Sequence, residues 1–408
     1  MADESPKLHL FEGFGVELEY MIVDRSTGAV LPVSDRLIEA ASGEIQAEIE
    51  MGELCWSNEL VLHAIELKTN GPAPALEPLA GFFTRDVSRM AELLRPLGGT
   101  LMPTAMHPLM DPTRETRLWP HDYGEVYQTF DRMFDCRGHG WSNLQSTHLN
   151  LPYQGDEEFG RLHAAIRVLL PVLPALAASS PIVEGRVTGI ADNRLEYYRG
   201  NCSKIPIVTG GVIPEPVFSQ QGYRDEILAP IAEAVAPYDD EEVLDPEWVN
   251  ARGAIARLER ESIEIRVLDV QEHPAADIAI VAFVVELLRG LTEERWSSLE
   301  AQQALSVERL EPIFVDCVRR GSRARIEDAD YLAALGARPA EAAGVWQQLL
   351  ARARPVAERE EWLRPLKVIL EQGTLTERIV LATRTRSIRD VYEELSRCLM
   401  AGVPFEAS

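Results

Sequence analysis

Cysteine is scarce in this 408-residue chain, and none of it is arranged to act. Cys55, Cys136, Cys202, Cys317 and Cys398 are odd in number, and no two form a Cys-x-x-Cys pair. That spacing argues against a disulfide framework and a structural zinc site, and it points to a reducing cytoplasm. Long apolar runs are missing too. Ile278 to Val285 is hemmed in by Asp277 and Glu286, far short of a membrane span. Val168 to Val183 is interrupted by Pro171, Pro174 and Pro181 and reads as a buried helix with its exit. Met1 to Lys7 shows neither a basic nor an apolar leader segment, so no export signal is expected.

Positive charge is also in short supply. Against 65 Asp and Glu stand 40 Lys and Arg, a formal charge of −25. Affinity for nucleic acid comes from Lys and Arg neutralising phosphates, so neither nucleic acid nor an anionic membrane is expected as a partner. No G-x-S-x-G, H-E-x-x-H or Walker-type glycine loop occurs, and Thr209-Gly210-Gly211 lacks the spacing of a phosphate loop.

What is present changes character about two-thirds of the way along. Short alternating runs interleave with helical ones before roughly residue 270, and nearly everything after 275 reads as helix. Strands are expected over 15–24, 44–49, 60–69, 143–151 and 263–269. Helices are expected over 77–97 and 156–178, then over 276–289, 306–320, 339–353, 358–372 and 387–400. The last helix opens with Ser387-x-x-Asp390, a capping-box pattern, while Gly321, Gly373 and Gly402 supply helix stops. The acidic run Asp239 to Glu242 reads as a solvated loop. Strands first and helices last predict an α+β fold, with one catalytic unit over 1–408. Its sheet-bearing core spans 10–275, and a helical region, 276–408, packs on that core.

Chemistry concentrates on the strands. In Gly15-Val16-Glu17-Leu18-Glu19 the side chains alternate, so Glu17 and Glu19 share one face and Val16 and Leu18 the other. Two such carboxylates repel unless water or a hard cation such as Mg²⁺ lies between them. Ile263-Glu264-Ile265-Arg266-Val267 repeats the form: three apolar residues face one way, and Glu264 and Arg266 the other. This pair reads either as a cross-strand salt bridge or as a metal carboxylate beside a guanidinium poised for a phosphoryl group. Ser146-Thr147-His148-Leu149-Asn150 sets His148 and Asn150 opposite Thr147 and Leu149. Glu59 and Glu66, seven apart, fall on opposite faces of a regular strand. They can meet only if Glu59 sits in the preceding loop or a bulge intervenes. Several strands with a polar face opposite an aliphatic one describe an antiparallel sheet. Helices cover one side of it, and the other lines a polar, metal-rich cavity.

These residues, together with Glu66-Leu67-Lys68-Thr69, Met106-His107-Pro108, Ala178-Ser179-Ser180-Pro181 and the closing Val267-Leu268-Asp269, resemble the glutamate–cysteine ligase type 2 family. That family consists of carboxylate–amine ligases related to glutamine synthetase. The resemblance covers roughly residues 10–290; beyond that it rests on helical character alone. It implies a curved antiparallel sheet forming an active-site funnel, with ATP at one end and glutamate at the other. It further implies that Glu17, Glu19, Glu59, Glu66, His148 and Glu264 hold Mg²⁺, with Mn²⁺ as an alternative, and that Glu264 and Arg266 act in phosphoryl transfer. The reaction implied is formation of a γ-glutamyl amide with an amine such as cysteine, through an acyl phosphate.

The chain departs from the family at one strand and again over Asn250 to Arg257, which differs from the usual lead-in. Where the family commonly has H-V-H-V-G, Ser146 replaces the first histidine and Asn150 the glycine. Arg257 and Asn150 are candidate nucleotide contacts, and Arg252 is a further candidate for an anionic ligand. Arg194 and Arg199 could meet a substrate carboxylate by bidentate pairing. His107 either shapes a turn or contacts substrate. Another amine or a peptide as acceptor, a relative that binds without turnover, and a metal-dependent hydrolase remain as rival readings, and homo-oligomerisation is left open.

Overall fold

The strand over Gly15–Asp24 (β1) explains the architecture, because its two halves are built differently. Val16, Leu18, Tyr20 and Ile22 all point into one core and are fully buried. On the other face, Glu17 and Glu19 give way to Met21 and Val23, which enter a second apolar cluster. The alternation in the first half and the continuous apolar run in the second thus mark where an open cavity ends and a covered sheet begins.

The computed structural model describes residues 7–240 and 242–407. Residues 1–6, and Glu241 within the acidic run, lie outside the described residues. One eight-stranded antiparallel sheet dominates. After β1 come β2 (Glu48–Glu50), β3 (Leu54–Asn58), β4 (Ala64–Thr69), β5 (Gly99–Met102), β6 (Ser146–Pro152), β7 (Ala254–Arg257) and β8 (Ser262–Asp269). Their order is β2-β3-β4-β1-β6-β8-β7, with β5 paired to the distal half of β1.

The 15–24 strand appears with the expected bounds, and those expected near 143 and 263 appear with small shifts. The expected 60–69 strand begins only at Ala64, and β3, which carries no alternation because both its faces are buried, was not anticipated. The expected 44–49 strand shrinks to three residues at the sheet edge.

Helix α1 (Leu79–Leu94) covers the apolar face with Phe83, Val87 and Met90. Helix α2 (Gly155–Leu169) lies on the same side, and α3 (Pro274–Thr292) runs between them. The latter is buried almost all round, which is why its sequence shows no polar stripe. Helices α4 (Leu375–Ala382) and α5 (Ile388–Ala401) cover Met21, Val23 and Met102 through Leu375, Ile379, Val391 and Leu395. Ser387 caps α5 by accepting from the Asp390 N–H, while the reciprocal capping box forms at Thr374 and Glu377, ahead of α4. All five cysteines are free and buried. Among the described residues, no helix is long and apolar enough to cross a membrane.

Candidate active site

Register places the acidic residues side by side. Glu17 lies opposite Lys68 on β4 and His148 on β6; Glu19 lies opposite Glu66. Strand β3 extends both rows, with Cys55 opposite Lys68 and Ser57 opposite Glu66. One step outward, Asn150 lies between Gly15 and Glu264. Directly opposed residues in an antiparallel pair project to the same face, so Glu17, Glu19, Glu66, His148 and Glu264 share the uncovered one. They line a cavity of about 1900 Å³.

Glu59 reaches the same cavity from the turn after β3, which resolves the parity conflict through the loop alternative. A bulge does occur, but on β8, where the register slips between Ile265 and Leu268. Leu268 therefore takes the apolar place expected of Val267, and Asp269, now opposite Ser146, turns toward the cavity side.

The polar contacts form a closed set. His148 Nδ1 lies 2.9 Å from Glu17 Oε2, and the Asn150 amide donates to Glu17 Oε1 at 2.9 Å. Ser146 donates to Glu19 Oε2 through its backbone N–H at 2.7 Å, and its hydroxyl lies 2.9 Å from both that oxygen and His148 Nε2. The two departures from the family pattern thus hold first-row carboxylates: Ser146 steadies Glu19, and Asn150 steadies Glu17. Gly15 makes room for the second, since a Cβ there would sit 2.8 Å from the Asn150 Cβ. Ser57 donates to Glu66 at 2.6 Å, and Lys68 bridges Glu66 and Glu48.

Glu264 is clamped between two guanidiniums. Arg257 meets its Oε2 through Nε and Nη2, both at 2.8 Å, and Arg266 Nε lies 2.9 Å from Oε1. Behind them, the Ser179 N–H and the Ser180 hydroxyl donate to Asp269 Oδ2. Arg194 Nε donates to Asp269 Oδ1 at 2.5 Å, and its Nη1 to the Arg266 carbonyl at 3.2 Å. The Ser-Ser-Pro motif therefore positions Arg266 through Asp269 and Arg194.

Electrostatics separates the carboxylates. Burial, reinforced by Glu264, raises Glu17 above its ordinary value. Burial and then Glu19 raise Glu59 strongly. Burial and then Glu17 push Glu66 up to about 7. Burial acts the same way on Glu264, but Arg257, Arg266 and His148 together outweigh it and hold that carboxyl below its ordinary value. Burial lowers His148 below its ordinary value, against the pull of Glu19. A set of crowded, proton-hungry carboxylates is the state expected where a cation belongs. One ligand atom from each of Glu17, Glu66 and His148 lies within 4.8 Å of the others, and the same holds for Glu19, Glu59 and Glu66. Oxygen-rich sets, one of them with an imidazole, suit Mg²⁺ or Mn²⁺, so the residues fit the group.

Other candidates fall elsewhere. His107 is buried in a separate cavity, with Nε2 2.8 Å from the Gly28 carbonyl and Nδ1 accepting from Leu109. Burial pushes it down to about 4, and it shapes the turn. Arg199 pairs with Glu196 outside the cavity. Arg252 is consumed by a bidentate pair with Glu215, at 2.6 and 2.7 Å, and is structural. Sequence reasoning missed Lys68 and Ser57. The first shares a face with Glu66 by simple alternation; the second sits on the unanticipated strand.

Comparison with known proteins agrees with this geometry. The model of glutamate–cysteine ligase family 2 matches residues 13–394, so it extends through the helical tail. An uncharacterized protein of Archaeoglobus fulgidus is 34% identical over 391 residues, covering 94% of this chain and 98% of its own. A Nocardioides protein provisionally named glutamate–cysteine ligase 2-1 is 28% identical over 69% of this chain and 68% of its own. In fold, the chain is similar to the glutamate–cysteine ligase of Francisella tularensis, solved in complex with AMP. The TM-score is 0.60 at 11% identity, covering 95% of this chain and 88% of that one. The carboxylate rows, the Glu264–Arg266 pair and the match along nearly the whole length lead to one conclusion: the chain belongs to glutamate–cysteine ligase family 2 and is a ligase that forms C–N bonds.

Proposed function

We propose that this enzyme uses ATP to join the γ-carboxylate of glutamate to an amine, working as a single catalytic unit through an acyl phosphate. The observation that carries the reading is the pair of acidic clusters sharing Glu66, set beside a guanidinium held in place by its own support chain. The AMP complex of the Francisella protein agrees with an adenine nucleotide as co-substrate. When bound, Mg²⁺ or Mn²⁺ supplies charge neutralisation at the phosphates, with Glu17, Glu66 and His148 as one ligand set and Glu19, Glu59 and Glu66 as another.

Phosphoryl transfer needs in-line positioning and charge stabilisation more than a nucleophile from the protein. A γ-carboxylate oxygen attacks the terminal phosphorus, the bond to the bridging oxygen breaks, and ADP leaves. Arg266 stabilises the equatorial oxygens as charge spreads over them, and Glu264, kept ionised, fixes that guanidinium. Arg194 lines the cavity and has a buried Nη2 without a protein partner, and it is the guanidinium assigned here to the substrate's α-carboxylate. The neutral amine then attacks the acyl carbon, the C–O bond to phosphate breaks, and inorganic phosphate departs.

Phosphate release from ATP, measured with Mg²⁺, glutamate and a panel of amines, tests this. Release that requires both glutamate and one amine is expected. Release from ATP and water alone, indifferent to glutamate, would contradict the reading.

A further inference from the structure

A second cavity, the one that buries His107, shares no lining residue with the active site. It measures about 510 Å³, within the range of small-molecule pockets. It forms where the end of β1 and the turn after it meet one face of α5. Arg389, Tyr392, Glu393, Ser396, Arg397 and Met400 recur there at helical spacing. Val23, Met102, Pro108 and Tyr392 make a buried apolar floor, and half-buried Met400 and 49% exposed Leu109 continue it outward. His107 adds no free polar atom to it, because its ring nitrogens are engaged with the Gly28 carbonyl and the Leu109 N–H.

Charge at the rim runs against that of the chain. In a protein of net charge −25, the guanidiniums of Arg25, Arg389 and Arg397 line this cavity with two carboxylates, Asp24 and Glu393. Both carboxylates are engaged. Asp24 Oδ1 accepts from the N–H and the hydroxyl of Ser26 and of Thr27, at 2.7 to 2.9 Å. Glu393 accepts from Arg389 Nε at 3.0 Å, and Arg389 also donates to the Ser26 carbonyl, tying α5 to the turn. Arg25 and Arg397 remain. Both are exposed, and among the described residues neither side chain has an ion pair or a hydrogen-bond partner. Three cations less two anions leave a surplus of one positive charge, which matches a monoanion better than a phosphate dianion. A bare anion gains little from exposed guanidiniums, and a neutral apolar molecule leaves them unused. An anion with an apolar body uses both: the body covers the floor, and charge-assisted hydrogen bonds orient the head.

We propose that this cavity binds a monocarboxylate with an apolar body of medium-chain length, its head on Arg25 and Arg397, independently of the active site. The probe is octanoate, titrated by calorimetry into the full chain at neutral pH. Saturable binding of one octanoate per chain, with Kd at or below about 1 mM, is expected. Octanol and inorganic phosphate should each bind about tenfold more weakly or worse, and octyl phosphate no tighter than octanoate. Arg25→Gln combined with Arg397→Gln should weaken octanoate by about tenfold and leave octanol unchanged; both residues are exposed, so the fold should hold. The same change at exposed Arg323 and Arg364 should have no such effect. Leu109→Ala, which trims the apolar side, should weaken octanoate and octanol alike. Saturating ATP with Mg²⁺ should leave the octanoate titration little changed, since the two cavities share no lining residue. Absence of saturable binding, binding indifferent to the Arg25 and Arg397 changes, tighter binding of octyl phosphate, or displacement by ATP would overturn the proposal.

Discussion

Withdrawing divalent cations from this protein should make its stability fall as pH rises, a dependence that follows from Glu66. Burial, and then the neighbouring Glu17, lift its carboxyl from the ordinary 4.5 to about 7. A carboxyl that holds its proton more tightly in the folded state stabilises fully below pH 4.5 and loses that contribution as pH climbs through about 7. At roughly 1.4 kcal/mol per pH unit, the loss is about 3 kcal/mol. An unfolding entropy of about 2.1 cal/mol/K per residue converts this into a fall in Tm of about 4 °C for a chain of this length. Glu17 and Glu59, raised by burial as well, add losses of the same sign.

A bound cation reverses the balance, because it requires the carboxylates ionised and binds better as they deprotonate. Thermal melts in EDTA should therefore drop between pH 5 and 8, and Mg²⁺ should restore Tm at pH 8 while doing little at pH 5. Asp277, lifted to about 8 by burial, contributes a decline that Mg²⁺ cannot reverse. Glu66→Gln isolates that residue's share by making the EDTA profile shallower and weakening the Mg²⁺ response. A flat EDTA profile, or an Mg²⁺ effect equal at pH 5 and 8, would refute the reasoning.

Three substitutions probe the supports. Arg266→Lys keeps the charge but loses the fork, so turnover should drop by about 10²-fold or more while Tm stays within a few degrees; an unchanged rate would make the residue structural. Ser146→Ala removes a hydroxyl held between Glu19 and His148, and metal affinity measured by titration calorimetry should weaken by about 10- to 100-fold. Gly15→Ala drives a Cβ into Asn150 and should cost about 1–3 kcal/mol in chemical denaturation, with Asn150→Gly in the same chain recovering most of it. Failure of that rescue would mean the two residues are not coupled.

Much of this site could be read from alternation alone. Glu17, Glu19, His148, Glu264 and Arg266 lie on strands with an aliphatic opposite face, a pattern that survives folding because one side of the sheet must be buried. Glu59 was legible only as a parity conflict, and a three-dimensional turn settled it. Strand β3 was illegible for the opposite reason, since a strand buried on both faces shows no period. The roles of Asp269 and Arg194 depend on a bulge, and bulges leave little trace in the pattern of hydrophobicity. His107, Arg199 and Arg252 show the limit of reading charge by residue type, because nothing in a sequence says which partner a guanidinium or imidazole will find.

The central claim is that ATP activates the acid by forming an acyl phosphate. Glutamate labelled with ¹⁸O in its γ-carboxylate, turned over with ATP and an accepted amine, tests it in one mass spectrum of the released phosphate. The account predicts one ¹⁸O atom in each phosphate, carried across when the amine displaces it. Phosphate with no label, formed alongside amide, would contradict it.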